Sequence, residues 1–318
     1  MAHNIEFING KAQMAYAGDV PWHGLGTKVP NDLTPAQMLE VAGLNWTVDK
    51  VPAFIETKPG WKVPVGKSAL VRSSDSSILD VVSDDWNPVQ NETAFEFFND
   101  FVAAGDMEMH TAGSLQDGKI VWGLAKVKQS FELFKGDEIE SYLLFSNFHK
   151  FGAATDVRFT PIRVVCNNTL TLSLNQQVNN MAKISHRRVF DGDNVKIMLG
   201  IASDKLAQYK EMAAFLGSKQ YSDENVVEYF KRVFPVLGQA KKKEISSNAA
   251  LALDVIHEQP GAKYAEGSWW QAFNTVTYMT DHIIGRNADN RLTSAWYGAN
   301  KQLKTNALEL AVDFAEAA

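Results

Sequence analysis

The sequence has one cysteine, Cys166, in 318 residues. That excludes an internal disulfide framework and any cysteine-rich zinc site, and it fits a reducing compartment. No apolar run reaches the roughly eighteen residues of a membrane span. The start, Met1-Ala2-His3-Asn4-Ile5-Glu6, lacks the basic and apolar stretches of a secretory signal. The expectation is a soluble, cytoplasmic protein with no membrane association. The seven histidines (3, 23, 110, 149, 186, 257 and 282) are dispersed, with no H-x-H, no H-E-x-x-H and no pair four apart, so sequence-local zinc ligation is absent. Nucleotide fingerprints are missing as well. In Trp22-His23-Gly24-Leu25-Gly26-Thr27 the third glycine of a dinucleotide motif falls on Val29, and no Gly-Lys-Ser or Gly-Lys-Thr follows at P-loop spacing. There is no G-x-S-x-G elbow, and Cys166 ends the apolar run Arg163-Val164-Val165, where a thiol reads as a small buried hydrophobe. No cofactor and no metal are expected, and the balance leans away from an enzyme.

What is present suits a sizeable core: 45% hydrophobic residues, eight tryptophans and eighteen phenylalanines. The net charge of −6 argues against blanket attraction to nucleic acid, yet it is unevenly spread. Residues 1–100 carry 7 basic and 13 acidic side chains, whereas residues 183–243 carry 12 and 7. The front is acidic and one central stretch is basic.

Glycines and prolines punctuate residues 1–60, read as a turn-rich segment with one short helix from Thr34 to Gly43, capped by Thr34 and started by Pro35. Residues 61–191 read as a β-rich α+β core. Strands are expected over Lys62–Arg72 and Ile78–Ser83, a helix over Asn91–Ala104, and a hairpin pairing 107–115 with 119–128 around Asp117-Gly118. Asp156–Cys166 reads as a strand whose Pro161 demands an edge or a bulge. From 192 to 318 the period is helical, in a region that could form one continuous domain with the core. The fold class is therefore α+β: an antiparallel hairpin sheet packed with helices, then a mostly helical C-terminal part.

Three sets of side chains are candidates for function. The basic set is Arg158, Arg163, Arg187, Arg188, Lys241, Lys242 and Lys243, interleaved with Phe159, Phe190 and Phe234. Guanidinium forks hold phosphates and aromatic rings stack bases, a combination that suits single-stranded nucleic acid; solvated surface charge is the alternative. The helix over 267–284 places Asn274, Tyr278 and Asp281 on one stripe and Tyr278, His282 and Arg286 on another, as for a packed network or an interface. Trp22 and His23, with Asn168 and Arg291, complete the candidates; a structural turn is the alternative for the Trp22-His23 cluster.

Several stretches together resemble the phage/plasmid-like family classified as domain of unknown function 932. They are Pro21 to Thr27, Trp86-Asn87-Pro88-Val89-Gln90-Asn91-Glu92-Thr93-Ala94-Phe95, Ala112-Gly113-Ser114-Leu115 with Gly118 and Trp122, Phe159 to Leu170, Asn274-Thr275-Val276-Thr277 with Asp281-His282, and Arg291, Gly298 and Lys301. The resemblance implies a mobile-element origin, such as a phage or prophage, and supplies no catalytic residues. Three functions follow as expectations. The first is non-enzymatic binding or annealing of single-stranded DNA, as a homo-oligomer. The second is a module that inhibits a host or defence protein. The third is a hydrolase whose metal site assembles in space from Trp22-His23 and Asp281-His282.

Overall fold

The protein was described from a computed structural model covering residues 5–21, 24–128, 131–163, 168–169, 181–195, 202–236, 244–285 and 288–317. The fold is α+β, and the chain divides into two compact units. The first comprises Met1–Lys128, Tyr142–Phe159 and Met181–Leu199; the second comprises Gln129–Ser141, Thr160–Asn180 and Gly200–Ala318.

In the first unit, the opening residues form strands β1 (Phe7–Ile8), β2 (Lys11–Ala12), β3 (Met14–Ala17) and β4 (Thr27–Val29). β3 is buried throughout because it lies inside a sheet, antiparallel to β8 (Met107–Leu115) and parallel to β4. Gly24 N donates to Pro21 O at 2.7 Å, a turn in the approach to β4. The helix expected after Thr34 is α1 (Pro35–Val41), where Thr34 Oγ1 and the Gln37 side chain close a reciprocal capping box.

β5 (Val48–Lys58), β6 (Trp61–Arg72) and β7 (Ile78–Ser83) form a separate three-stranded antiparallel sheet. Its inner face buries Val48, Leu70, Leu79 and Val82. Arg72, buried with them, meets Glu6 at 2.5 Å and Asp75 at 2.6 Å, while Ser114 Oγ donates to the other Glu6 oxygen at 2.7 Å. A buried guanidinium thus has its charge matched on both sides, as an interior cation must.

The predicted helix over 91–104 is two short ones, α2 (Asn91–Glu96) and α3 (Asn99–Ala103), with the break at Phe97-Phe98. Both rings are buried, and with Phe95, Phe101, Phe145 and Phe190 they build an aromatic core whose neighbouring centroids are 5.5–6.5 Å apart. Tertiary packing of these rings overrides the continuous helical period.

β8 and β9 (Ile120–Val127) pair as the Asp-Gly signal requires, but positive φ runs through Gln116, Asp117 and Gly118 rather than two residues only. Across this ladder Gly113 faces Trp122, and a Cβ at Gly113 would stand 2.3–2.8 Å from the indole. Glycine there lets the buried ring lie flat over the neighbouring strand. Gly113→Ala is therefore expected to cost about 1–3 kcal/mol in urea unfolding, with a shift in tryptophan emission; an unchanged midpoint would refute the close-approach argument.

The larger sheet runs β13-β12-β11-β9-β8-β3-β4, with β10 (Phe131–Phe134) also on β11 (Asp137–Phe148) and β14 (Met181–Ile184) also on β12 (Thr155–Arg163). β14 pairs with Thr155 to Arg158 and β13 (Asn168–Thr169) with Ile162 and Arg163, so Pro161 falls between the stretches of β12 that these two partners take.

The second unit carries the helices α4 (Ala202–Ser218), α5 (Asp223–Val233), α6 (Ser247–Val255), α7 (Trp269–Tyr278), α8 (Ala288–Tyr297) and α9 (Ala299–Glu316). Ser222, Ser246 and Ser268 cap three of them by accepting from the amide three residues on. α7 is the central helix: every residue from Trp269 to Thr277 is buried. Trp269 stacks on Phe314 with centroids 5.1 Å apart, and Tyr229 OH donates to Ala307 O at 3.0 Å. α7 runs into a π-helical turn, Met279–Ile283, whose carbonyls at Thr280 and Ile284 accept from Asn300 Nδ2 at 2.7 and 3.3 Å. No helix among the described residues is long and apolar enough to cross a membrane.

Candidate functional site

The basic residues picked out in the sequence do not form one free group among the described side chains. Arg158 and Asp156 sit two apart on β12, hence on one face, and the guanidinium grips the carboxylate through two bonds of 2.8 and 2.9 Å, with both side chains nearly buried. Arg187 lies 3.4 Å from Asp85 at the surface. A hydrogen bond from Ser83, and then the Arg187 charge, holds the Asp85 carboxyl below its ordinary range. Arg188 is exposed. Arg163 belongs to the second unit, and its backbone pairs with Asn168; the side chains of both lie outside the described residues, as do Lys241, Lys242, Lys243, Trp22, His23 and Arg286.

The α7 residues sort differently. Asn274 is wholly buried, donating to Trp270 O at 2.8 Å while its Oδ1 meets no donor. Asp281, in the π-helical turn, accepts from Lys304 Nζ at 2.8 Å, and Lys304 is completely enclosed. The His282 ring lies 5.2 Å from Tyr278, and Arg291 has a buried Nε without an acceptor. Among the described residues no three histidine, cysteine or carboxylate side chains gather to hold a metal ion.

The Trp86–Phe95 stretch serves a buried polar network in the first unit. Asn91 Nδ2 donates to Leu44 O and Trp46 O at 3.1 and 3.3 Å, which turns its Oδ1 toward His149 Nε2 at 2.9 Å. Nε2 must then carry the proton, leaving the His149 Nδ1 lone pair buried without a donor. Asn147 Nδ2 donates to Val89 O at 2.7 Å beside it. Burial, then the neighbouring His186, pushes the His149 pKa down from 6.5 to about 3. His186 stacks on Trp86 with centroids 4.0 Å apart and bonds Asn87 O at 3.0 Å; burial lowers its pKa too, against that bond. Both histidines stay neutral near pH 7 and act as packing polar groups: His149, just past β11, ties down α2 through Asn91, and His186 packs on Trp86 and Asn87.

The surface that stands out is one the sequence reading passed over. Of the eleven exposed large apolar side chains among the described residues, eight lie on β5, β6 and β7, a concentration on one sheet rather than the usual scatter. Beyond Val51, β5 and β6 leave the body of their sheet as a two-stranded arm with almost every residue exposed. Lys58 pairs with Trp61 across a turn through Pro59 and Gly60, where Gly60 has φ +80°, as the third position of a type II turn requires. One face of the arm carries Ile55, Val63, Lys58 and Trp61; the other carries Phe54, Glu56, Lys62 and Pro64. Trp61 is 70% exposed and Phe54 54%. Among the described residues neither Lys58 nor Lys62 forms an ion pair, and Glu56, across from Lys62, accepts from Gly60 N at 2.6 Å. The Pro59-Gly60 pair between β-rich stretches was the available signal for this hairpin.

A family model described as Domain of unknown function (DUF932) matches residues 78–296. Neither a curated protein nor a solved structure matches the chain. The matched span starts at β7 and takes in the histidine network, the Gly113–Trp122 contact and α7 with its π-helical turn, while the arm lies before it. With well over half of its length matched, the chain belongs to the family Domain of unknown function (DUF932).

Proposed function

We propose that this chain is a non-enzymatic protein of a phage, prophage or plasmid that binds single-stranded DNA, with the β5–β6 arm as its contact element. The observation that carries the reading is the placing of Lys58 and Lys62, neither in an ion pair among the described residues, on one narrow ribbon with the exposed rings of Trp61 and Phe54. A ribbon of that kind supplies what a single strand needs: cations for phosphate, and flat faces on which any base can stack. The Arg158 guanidinium, held by Asp156, is not part of this contact, and Arg187 would have to exchange Asp85 for phosphate.

Fluorescence titration with a single-stranded oligonucleotide over a salt series tests the reading. Binding is expected to quench Trp61. Trp61→Ala should cost about 1–3 kcal/mol of affinity by loss of stacking. Lys58→Ala with Lys62→Ala should lower the logarithmic salt slope by about 1.4, at roughly 0.7 for each phosphate neutralised. Absence of binding at low salt, or affinity untouched by all three substitutions, would overturn it.

A further inference from the structure

The outer face of the β5–β6–β7 sheet, at the base of the arm, holds a second, separate pattern. Its central cross-strand row is Val51, Ala69 and Val81. The row on one side is Asp49, Val71 and Ile78; the row on the other side carries Lys67 opposite Ser83. Val51, Val81 and Ile78 are 46%, 47% and 64% exposed, although each sits in a regular ladder. Asp49 and Lys67 form no ion pair among the described residues. The face is thus an apolar band with an unmatched negative charge on one edge and an unmatched positive charge on the other.

We propose that a second copy of this chain covers this face, the two sheets stacking about a two-fold axis that runs along the Val51–Ala69–Val81 row. Such an axis reverses the strand direction, so it lays the Asp49 row of each copy over the Lys67 row of the other. The contact is isologous, as a two-fold contact must be. The same surface thereby supplies both the apolar band and two complementary ion pairs. Sheets stacked in this way lie about 10 Å apart, a gap that interdigitated valine and isoleucine side chains fill. A nucleic-acid strand fits this band poorly, because its centre carries no cation. Each copy would keep its own arm.

Sedimentation equilibrium of the full chain without nucleic acid tests the assembly independently of strand binding. The wild type is expected at twice the 35.3 kDa chain mass at about 100 µM. Val51→Lys with Val81→Lys should weaken association by at least tenfold while the far-ultraviolet spectrum stays unchanged, since both side chains already face water. Asp49→Lys alone should weaken it through like charges facing Lys67, and adding Lys67→Asp should restore it. A monomeric wild type at that concentration would overturn the proposal. So would an oligomer indifferent to the Val51 and Val81 changes, or a charge swap that fails to restore association. If Val51→Lys with Val81→Lys altered oligonucleotide affinity without altering mass, the face would belong to the strand instead, and the proposal would fall.

Discussion

Lys304→Met is expected to destabilise the chain by about 3–5 kcal/mol, the usual cost of leaving one member of a buried ion pair without its partner. Lys304 is wholly enclosed among the helices of the second unit, and its Nζ lies 2.8 Å from Asp281, which is itself 6% exposed. Without the ammonium, the Asp281 carboxylate loses the cation 2.8 Å away and holds its charge inside the bundle at greater cost. The coupling is separable from simple packing loss, because methionine keeps most of the lysine stem. Asp281→Leu combined with Lys304→Met should recover most of the loss, since well-packed apolar replacements of a buried pair are often neutral or stabilising. Urea unfolding of the two single variants and the double variant closes the cycle. Additive losses in the double variant would show that the two side chains do not depend on each other, and that Asp281 has another partner sufficient for its charge.

The second large effect is on acid stability. His149 has an ordinary pKa of 6.5 when the chain is unfolded and about 3 in the buried network. Below pH 6.5 the unfolded chain therefore binds a proton that the folded chain refuses. The stability this group confers is intact above pH 6.5 and falls by about 1.4 kcal/mol for each unit as pH drops toward 3. At pH 4.5 the loss from His149 alone is roughly 2–3 kcal/mol. His186, lowered by burial as well, adds in the same direction. His149→Gln keeps a donor for Asn91 Oδ1 but cannot titrate. Its unfolding free energy should fall less than that of the wild type between pH 6.5 and 4.5, by roughly 2 kcal/mol. Parallel pH profiles for the two proteins would contradict a neutral, desolvated imidazole at this position.

Local chemistry was legible in the sequence where a few neighbouring residues decide the outcome. Thr34 with Pro35 marked α1, Asp117-Gly118 marked the β8–β9 hairpin, and the change of period after residue 192 announced the helices. Pro161 was read as a strand irregularity and sits at the junction of two partner strands. The failures came from competition between signals. The prolines and glycines before residue 60 obscured β3 and β5. Pro52 lies at a bulge of β5 and Pro59 in the turn, so neither interrupts a required donor. The phenylalanines of 95–101 kept a helical period, yet the packing of Phe97 and Phe98 split the helix. Charges were counted as free when their partners were not visible: Asp156 neutralises Arg158 from two residues away, and Asp85 reaches Arg187 from about a hundred. Lys304 escaped notice because nothing local distinguishes a lysine on an amphipathic helix from one turned inward to a carboxylate 23 residues away.

The arm has one more consequence. Water reaches both sides of the β5–β6 ladder beyond Val51, and the two amide contacts from Gln90 that secure β5 are made at Val48, at its base. Opening the ribbon uncovers almost no core. Its amides should accordingly trade hydrogen for deuterium within seconds to minutes, while those of β8 and β9 wait for global unfolding. Trypsin should nick the free protein first after Lys62, because Pro59 protects the bond after Lys58, and should leave the remainder folded.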